Sequence, residues 1–268
     1  MSGPATRPAE VRVAVCQVLC IDGDREGNFR RIEYALQRAR DGRADIACLP
    51  ESVVLGWENP EAHELAGPIP GPDTDRLAGM ARCYGLMICA GLDEKEGDRL
   101  YDSAVIIDRS GRLRHRHRKI NVLPELMDPP YATGRPEDIR AVETDFGRIG
   151  LMICADTFSE DHVRRMRDQH PDLVLIPYGW AAATSEWPAH ARKLEQLVCG
   201  LAAAWGCPVV GTDLVGQIMH GPWRGRTYGG ASVVAGADGR VLAILRDRDV
   251  DVQVVTLPMR AGPEPDRR

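Results

Sequence analysis

One pattern occurs twice in this chain. The segment RVAVCQ at 12–17, a helical stretch and ADIACLPE at 44–51 resemble RIGLMICAD at 148–156, a second helical stretch and PDLVLIPYG at 171–179. Each set reads as a strand, a helix and another strand, and the two units are similar in length. Short apolar runs bounded by turn signals are the mark of buried strands. β hairpins lie between the units, so the pattern predicts two sheets, each covered by helices on its outer face. The expected fold is a layered α/β arrangement in a single domain over residues 10–258, with flexible tails at 1–9 and 259–268.

The remaining elements follow from local signals. Phe29, Ile32, Leu36 and Ala39 are spaced for a helix over 26–41, with Gly42 as its stop. A second helix is expected at 74–84 before Gly85, and a long one at 185–205. Residues 86–94 read as a strand, and 101–119 as a hairpin turning at Asp108–Gly111. Residues 120–138 form a proline-rich loop. Residues 138–154 make another hairpin, and a β meander closes the chain.

Composition excludes several function classes. A net charge of −5 and a pI near 5.8 argue against nucleic acid as the main partner. The first residues lack a charged-then-apolar signal pattern, and no apolar run approaches the ~20 residues that cross a bilayer. The expectation is a cytoplasmic protein that binds neither nucleic acid nor membrane. None of the eight cysteines sits in a CxxC pair, which argues against a zinc ribbon or a thioredoxin-type site. Cys16, Cys48 and Cys89 lie inside strand-like runs as small core hydrophobes.

Three residues stand at the ends of such runs. Cys154 closes RIGLMIC, either as a core sulfur or as a nucleophile. Thr157 and Glu160 match a capping box, which predicts a helix starting near Phe158 and a tight strand-to-helix turn at Cys154. Amides at a helix N-terminus lower a thiol's pKa. Glu51 ends ADIACLP, where a carboxylate reads as a solvated loop group or as part of a cleft. Lys119 closes RLRHRHRK, which has the alternation of a charged edge strand.

With these residues in place, the chain resembles the nitrilase, or carbon–nitrogen hydrolase, superfamily. The segments that carry the resemblance are VRVAVCQ at 11–17, ADIACLPES at 44–52, RKINVLPE at 118–125, GRIGLMICADTF at 147–158 and YGGASVVAGADGRVLA at 228–243. The resemblance implies a four-layer αββα sandwich of two mixed sheets. It also implies a catalytic triad: Glu51 as general base, Lys119 as oxyanion stabiliser and Cys154 as nucleophile. The Ala155 N–H would assist the oxyanion, and Glu125 is the best match for the family's supporting glutamate. No metal or organic cofactor is implied.

Ala155-Asp156 after the cysteine, in place of Trp-Glu, is similar to the amidase and carbamoylase branches. The implied reaction releases ammonia from a small carboxamide or N-carbamoyl compound through a thioester. Nitrile hydrolysis by the same triad and a silent binding member are the alternatives, and a thiol redox protein is a third class. Trp57, Tyr131, Tyr178 and Trp180 fall on loops aimed at the pocket, as substrate contacts or as loop and subunit anchors. The family usually dimerises, and the 185–205 helix is the candidate contact in a homodimer or larger symmetric oligomer.

Overall fold

A computed structural model describes residues 8–259. In chain order the elements are β1 (Glu10–Gln17), α1 (Arg25–Asp41), β2 (Ile46–Cys48), α2 (Ala62–Leu65), α3 (Pro72–Tyr84), β3 (Met87–Glu96), β4 (Arg99–Ile107), β5 (Leu113–Arg118), β6 (Ala141–Thr144) and β7 (Gly147–Leu151). They continue with α4 (Glu160–Arg167), β8 (Leu173–Tyr178), β9 (Ala181–Ala182), α5 (Ala189–Trp205), β10 (Val209–Asp213), β11 (Val215–Gln217), β12 (Thr227–Gly229), β13 (Val233–Ala235), β14 (Val241–Ile244) and β15 (Asp251–Pro258).

The strands form two six-stranded sheets, ordered β15-β1-β2-β3-β4-β5 and β14-β13-β10-β8-β7-β6, and a small third sheet of β11, β12 and β9. From β15 to β5 the pairings run antiparallel, parallel, parallel, antiparallel, antiparallel. From β6 to β14 the second sheet gives the same succession. The repeat in the sequence is therefore a repeat in the fold, in which β1 and β2 correspond to β7 and β8.

Alternation along the strands decides the layers. Val11, Val13 and Val15 of β1 share one core cluster with Ile149 and Leu151 of β7 and with Leu173 and Leu175 of β8. Ala14 and Cys16 point the other way, into a cluster with Phe29, Ile32 and Leu36 of α1 and Leu77 and Ala81 of α3. Leu194, Val198 and Leu201 of α5 back the second sheet. The layering is helix, sheet, sheet, helix, as the resemblance implied.

The ends of the chain need one correction. Residues 1–7 and 260–268 lie outside the described residues, but Ala9 and Met259, placed in tails by the sequence, are hydrogen-bonded to each other. The Met259 N–H donates to the Ala9 carbonyl at 2.8 Å, extending the β1–β15 ladder by a further rung. No helix among the described residues is long and apolar enough to cross a membrane.

Candidate active site

The ends of β2, β5, β7 and β8 meet between the two sheets. Glu51 follows β2 and is fully buried, and its N–H donates to the carbonyl of Tyr178 at the end of β8, at 3.3 Å. The equivalent strands of the two halves thus touch at their carboxyl ends. The chain around Glu51 runs so close to β3 that a Cβ on Gly91 would stand 2.4 Å from the Glu51 Cα. Glycine at 91 is the condition for seating Glu51 there.

Lys119 is the residue after β5. Its N–H donates to the Asp102 carbonyl at 2.8 Å. Its ammonium donates to Glu51 Oε1 at 2.5 Å and to Asp102 Oδ2 at 3.1 Å. Burial works against the ammonium, but the charges of Glu51 and Asp102 outweigh it and hold the Lys119 pKa well above the usual value. Burial raises the Asp102 pKa, Glu51 raises it further, and Lys119 opposes both. The charge of Glu51 so close by disfavours the ionised form of Asp102. The other oxygen of Glu51, Oε2, is buried with no hydrogen-bond partner among the described residues. A Cβ on Gly179 would come within 2.9 Å of it.

Cys154 sits in the turn after β7 with φ of 36°, in the left-handed region that costs a side chain on the order of 1–3 kcal/mol. The expected cap is different from the one observed. Cys154–Phe158 is a short 3₁₀ helix, and α4 begins separately at Glu160 with Ser159 as its N-cap, accepting from the His162 N–H. Thr157 does not cap α4; its hydroxyl turns back to donate to the Cys154 carbonyl at 2.7 Å. The expected lowering of the thiol's pKa is also overturned. Burial pushes the Cys154 thiol well above its usual value and Glu51 adds to this, while Lys119 and the Gly179 N–H, which donates to the sulfur, act against them. One turn of helix does not outweigh the burial of the sulfur. Ala155 is buried beside it in the same turn.

Asp156 fastens this turn to the loop carrying Lys119. One carboxylate oxygen accepts the N–H groups of Ile120 and Asn121 at 2.9 and 2.8 Å. The other pairs with the buried His117 Nε2 at 2.8 Å. Burial works against the charge of Asp156, yet His117 and the two amides together hold its pKa below the usual carboxylate value.

The remaining expected residues divide. The Trp57 ring lies 5.0 Å from the Lys119 Nζ. Tyr178 is buried, and its hydroxyl meets that of Thr157 at 3.3 Å. Trp180 lies edge-on to Tyr178 and stacks on His190. Tyr131 is committed elsewhere, donating to Asp93 Oδ1 at 2.7 Å. Glu125 is exposed. The turn after Pro124 carries it outward to a cavity that it shares with Glu58, and the carboxylates touching Lys119 are those of Glu51 and Asp102.

Asp102, Gly179 and Glu58 went unread in the sequence. Asp102 carried one usable signal, a lone carboxylate inside the apolar strand LYDSAVII.

A carbon–nitrogen hydrolase family model matches residues 12–262. The chain is 27% identical to a nitrilase of Pyrococcus abyssi over 255 residues, covering 93% of this chain and 90% of that protein. It is 25% identical to an N-carbamoylputrescine amidase of Solanum lycopersicum, covering 91% of this chain and 85% of that one. Among solved structures, an amidase of Nesterenkonia sp. has the same fold at 22% identity, with a TM-score of 0.80 over 96% of this chain and 94% of that chain. A mutant of that amidase carries the acetamide moiety of fluoroacetamide, covalently added at its active-site cysteine. With the family match running from β1 past the end of β15, this chain belongs to the carbon–nitrogen hydrolase family.

Proposed function

We propose that this carbon–nitrogen hydrolase is a cysteine amidase that releases ammonia from a small carboxamide or N-carbamoyl compound. The observation that carries the reading is the bridge from the Lys119 ammonium to Glu51 and Asp102, beside a buried thiol whose ionisation responds to both Glu51 and Lys119.

Burial raises the pKa of the thiol, so its activation is coupled to attack. Glu51 takes the proton as the sulfur bonds to the carbonyl carbon, and the π pair moves onto oxygen. The Lys119 ammonium and the Ala155 N–H stabilise that oxyanion. Glu51 returns the proton to nitrogen, the C–N bond breaks and ammonia leaves a thioester. Water then attacks the thioester carbon while Glu51 takes its proton; the C–S bond breaks, Glu51 passes that proton to the departing sulfur, and the acid leaves with the thiol and the base restored. Asp102 keeps Lys119 charged throughout, and the Asp156 clamp holds the Lys119 loop against the Cys154 turn.

Both nitrilases and amidases are among the relatives. The amide reading rests on Ala155-Asp156 after the nucleophile. Expulsion of ammonia requires one group that protonates nitrogen while another holds an oxyanion, and Glu51 and Lys119 are suited to those tasks. Ammonia release from a panel of primary amides, N-carbamoyl compounds and the matched nitriles tests the reading. Amides or N-carbamoyl compounds should turn over with kcat/KM above the matched nitriles, and Cys154→Ala should lower turnover by at least ~10³-fold. A nitrile preferred across several pairs would overturn the amide assignment. Activity retained in pure Cys154→Ala would remove Cys154 from its role.

A further inference from the structure

The amidase reading makes no use of Glu58. This residue follows Trp57, whose ring lies over Lys119. Its carboxylate is only 3% exposed, and Oε2 has no hydrogen-bond partner among the described residues. A buried carboxylate with an unpartnered oxygen is costly to keep charged. Burial accordingly raises its pKa to about 8; Lys119 pulls it down, and Asp102, Asp93 and Glu125 push it up. Among the described residues, no ion pair accounts for the group.

Glu58 lines a cavity of about 440 Å³. Two further acids, Glu125 and Asp128, share the lining, and among the described residues no lysine or arginine does. The other walls are apolar or backbone, among them Leu126, Met127 and Pro222. An aliphatic chain suits such walls, and a cation at its end suits the carboxylates. Glu58 is the next residue after Trp57, whose ring lies 5.0 Å from the Lys119 Nζ, so this wall of the cavity is one residue from a side chain in contact with the reacting centre.

Resting on the amidase reading, we propose that this cavity is the substrate's distal subsite, with Glu58 pairing a terminal ammonium on an aliphatic amide or N-carbamoyl chain. The arriving cation supplies the charge that the buried carboxylate lacks, and the chain's methylenes cover the apolar wall. Glu125 and Asp128 attract the cation at the rim, where exposure limits them to a smaller effect.

The test uses isosteric pairs of linear carboxamides over a short series of chain lengths. In each pair a terminal ammonium replaces a terminal methyl, and the readout is the ratio of the two kcat/KM values. At the best length the ammonium member should be favoured by about tenfold or more, the worth of a hydrogen-bonded charge pair out of water. Glu58→Gln should collapse the ratio towards one, whatever happens to either rate alone. Glu58→Asp keeps the charge but withdraws it by one methylene, so it should move the preferred length to a longer chain. That variant decides the matter should Glu58→Gln fail to fold. Calorimetry with a linear diamine gives a second readout that needs no turnover: binding to the wild type, weakened about tenfold in Glu58→Gln.

A ratio near one at every length, or a ratio unchanged in Glu58→Gln, overturns the subsite while amide turnover leaves the amidase reading standing. Glu58-dependent diamine binding with no carboxamide or N-carbamoyl compound cleaved leaves the cation subsite standing and overturns the amidase reading.

Discussion

At the scale of single residues, the centre holds more acids than cations. Glu51, Glu58, Asp93 and Asp102 are all buried, and Lys119 is the buried lysine among them. Burial raises the Asp93 pKa to about 8 despite the hydroxyls of Tyr131 and Ser52 that donate to it. This has a consequence for stability. An acid with an ordinary pKa of 3.8 and a folded pKa of about 8 binds a proton more tightly when folded. Its contribution is fully present below pH 3.8 and is lost as pH rises towards 8. Asp93→Asn should therefore flatten the fall in Tm between acid and mildly alkaline pH, leaving the share due to other buried acids displaced the same way, Glu58 and Asp102 among them. Thermal melts of both proteins across that range check it; parallel pH profiles would show that Asp93 ionises freely in the folded protein. The same crowding explains what was legible residue by residue. Glu51, Lys119 and Cys154 each close a strand-like run, so local pattern exposes them. Asp102 meets Lys119 across a hairpin and Gly179 meets Cys154 across the sheet, and no local pattern carries either contact. Glu125, the best match for the supporting glutamate, lies in a proline-rich loop whose course no spacing rule sets.

At the scale of elements, the strand runs were legible because burial on both faces demands unbroken apolar sequence. The turns were not, because they are decided by side chains arriving from elsewhere. The predicted helix over 185–205 begins at Ala189; a separate 3₁₀ turn occupies Thr184–Glu186, and Trp187 then packs against β12, where a Cβ on Gly229 would fall 1.7 Å from the Trp187 ring. Likewise Thr157 and Glu160 look like a cap in sequence, while Asp156 sets the actual geometry of the turn. Through its two oxygens Asp156 joins the end of β5, the start of the Lys119 loop and the 3₁₀ helix. Asp156→Ala leaves His117 and two amides without their acceptor. It should cost roughly 3 kcal/mol and release the Lys119 loop, so that kcat falls by more than loss of folded protein explains. Asp156→Asn keeps an acceptor for the two amides and should retain more of both. Denaturant unfolding, with kcat corrected to the folded fraction, separates the effects. Equal activity per folded molecule in Asp156→Ala would show that the clamp does not position Lys119.

At the scale of the whole molecule, each half contributes to the centre what the other cannot. The first sheet supplies Glu51, Asp102 and Lys119, the second Cys154 and Gly179, and the site exists only where the two sheets face each other. The internal repeat was legible because both halves kept their apolar strand patterns; the joining of their strand ends was not, since it belongs to the packing of one sheet on the other. Assembly is the next level, and the family resemblance gives the expectation of a homodimer through α5. Leu194, Val198, Leu201 and Trp205 of that helix face inward, while Gly200, Ala203 and Ala204 are exposed. Small exposed residues allow close approach of a second helix. Gly200 offers a clean test, because a Cβ placed there meets nothing within 4 Å. Within one subunit an arginine at this position is unopposed, and exchanging glycine for a better helix former should hold or slightly raise stability. Across a close two-fold contact it would bring two charged side chains together at the interface. The wild type should scatter light as twice 29.5 kDa at micromolar concentration, and Gly200→Arg as a monomer with an unchanged melt. A wild-type mass of 29.5 kDa would exclude the dimer, and a dimer that survives Gly200→Arg would place the contact on a face other than this side of α5.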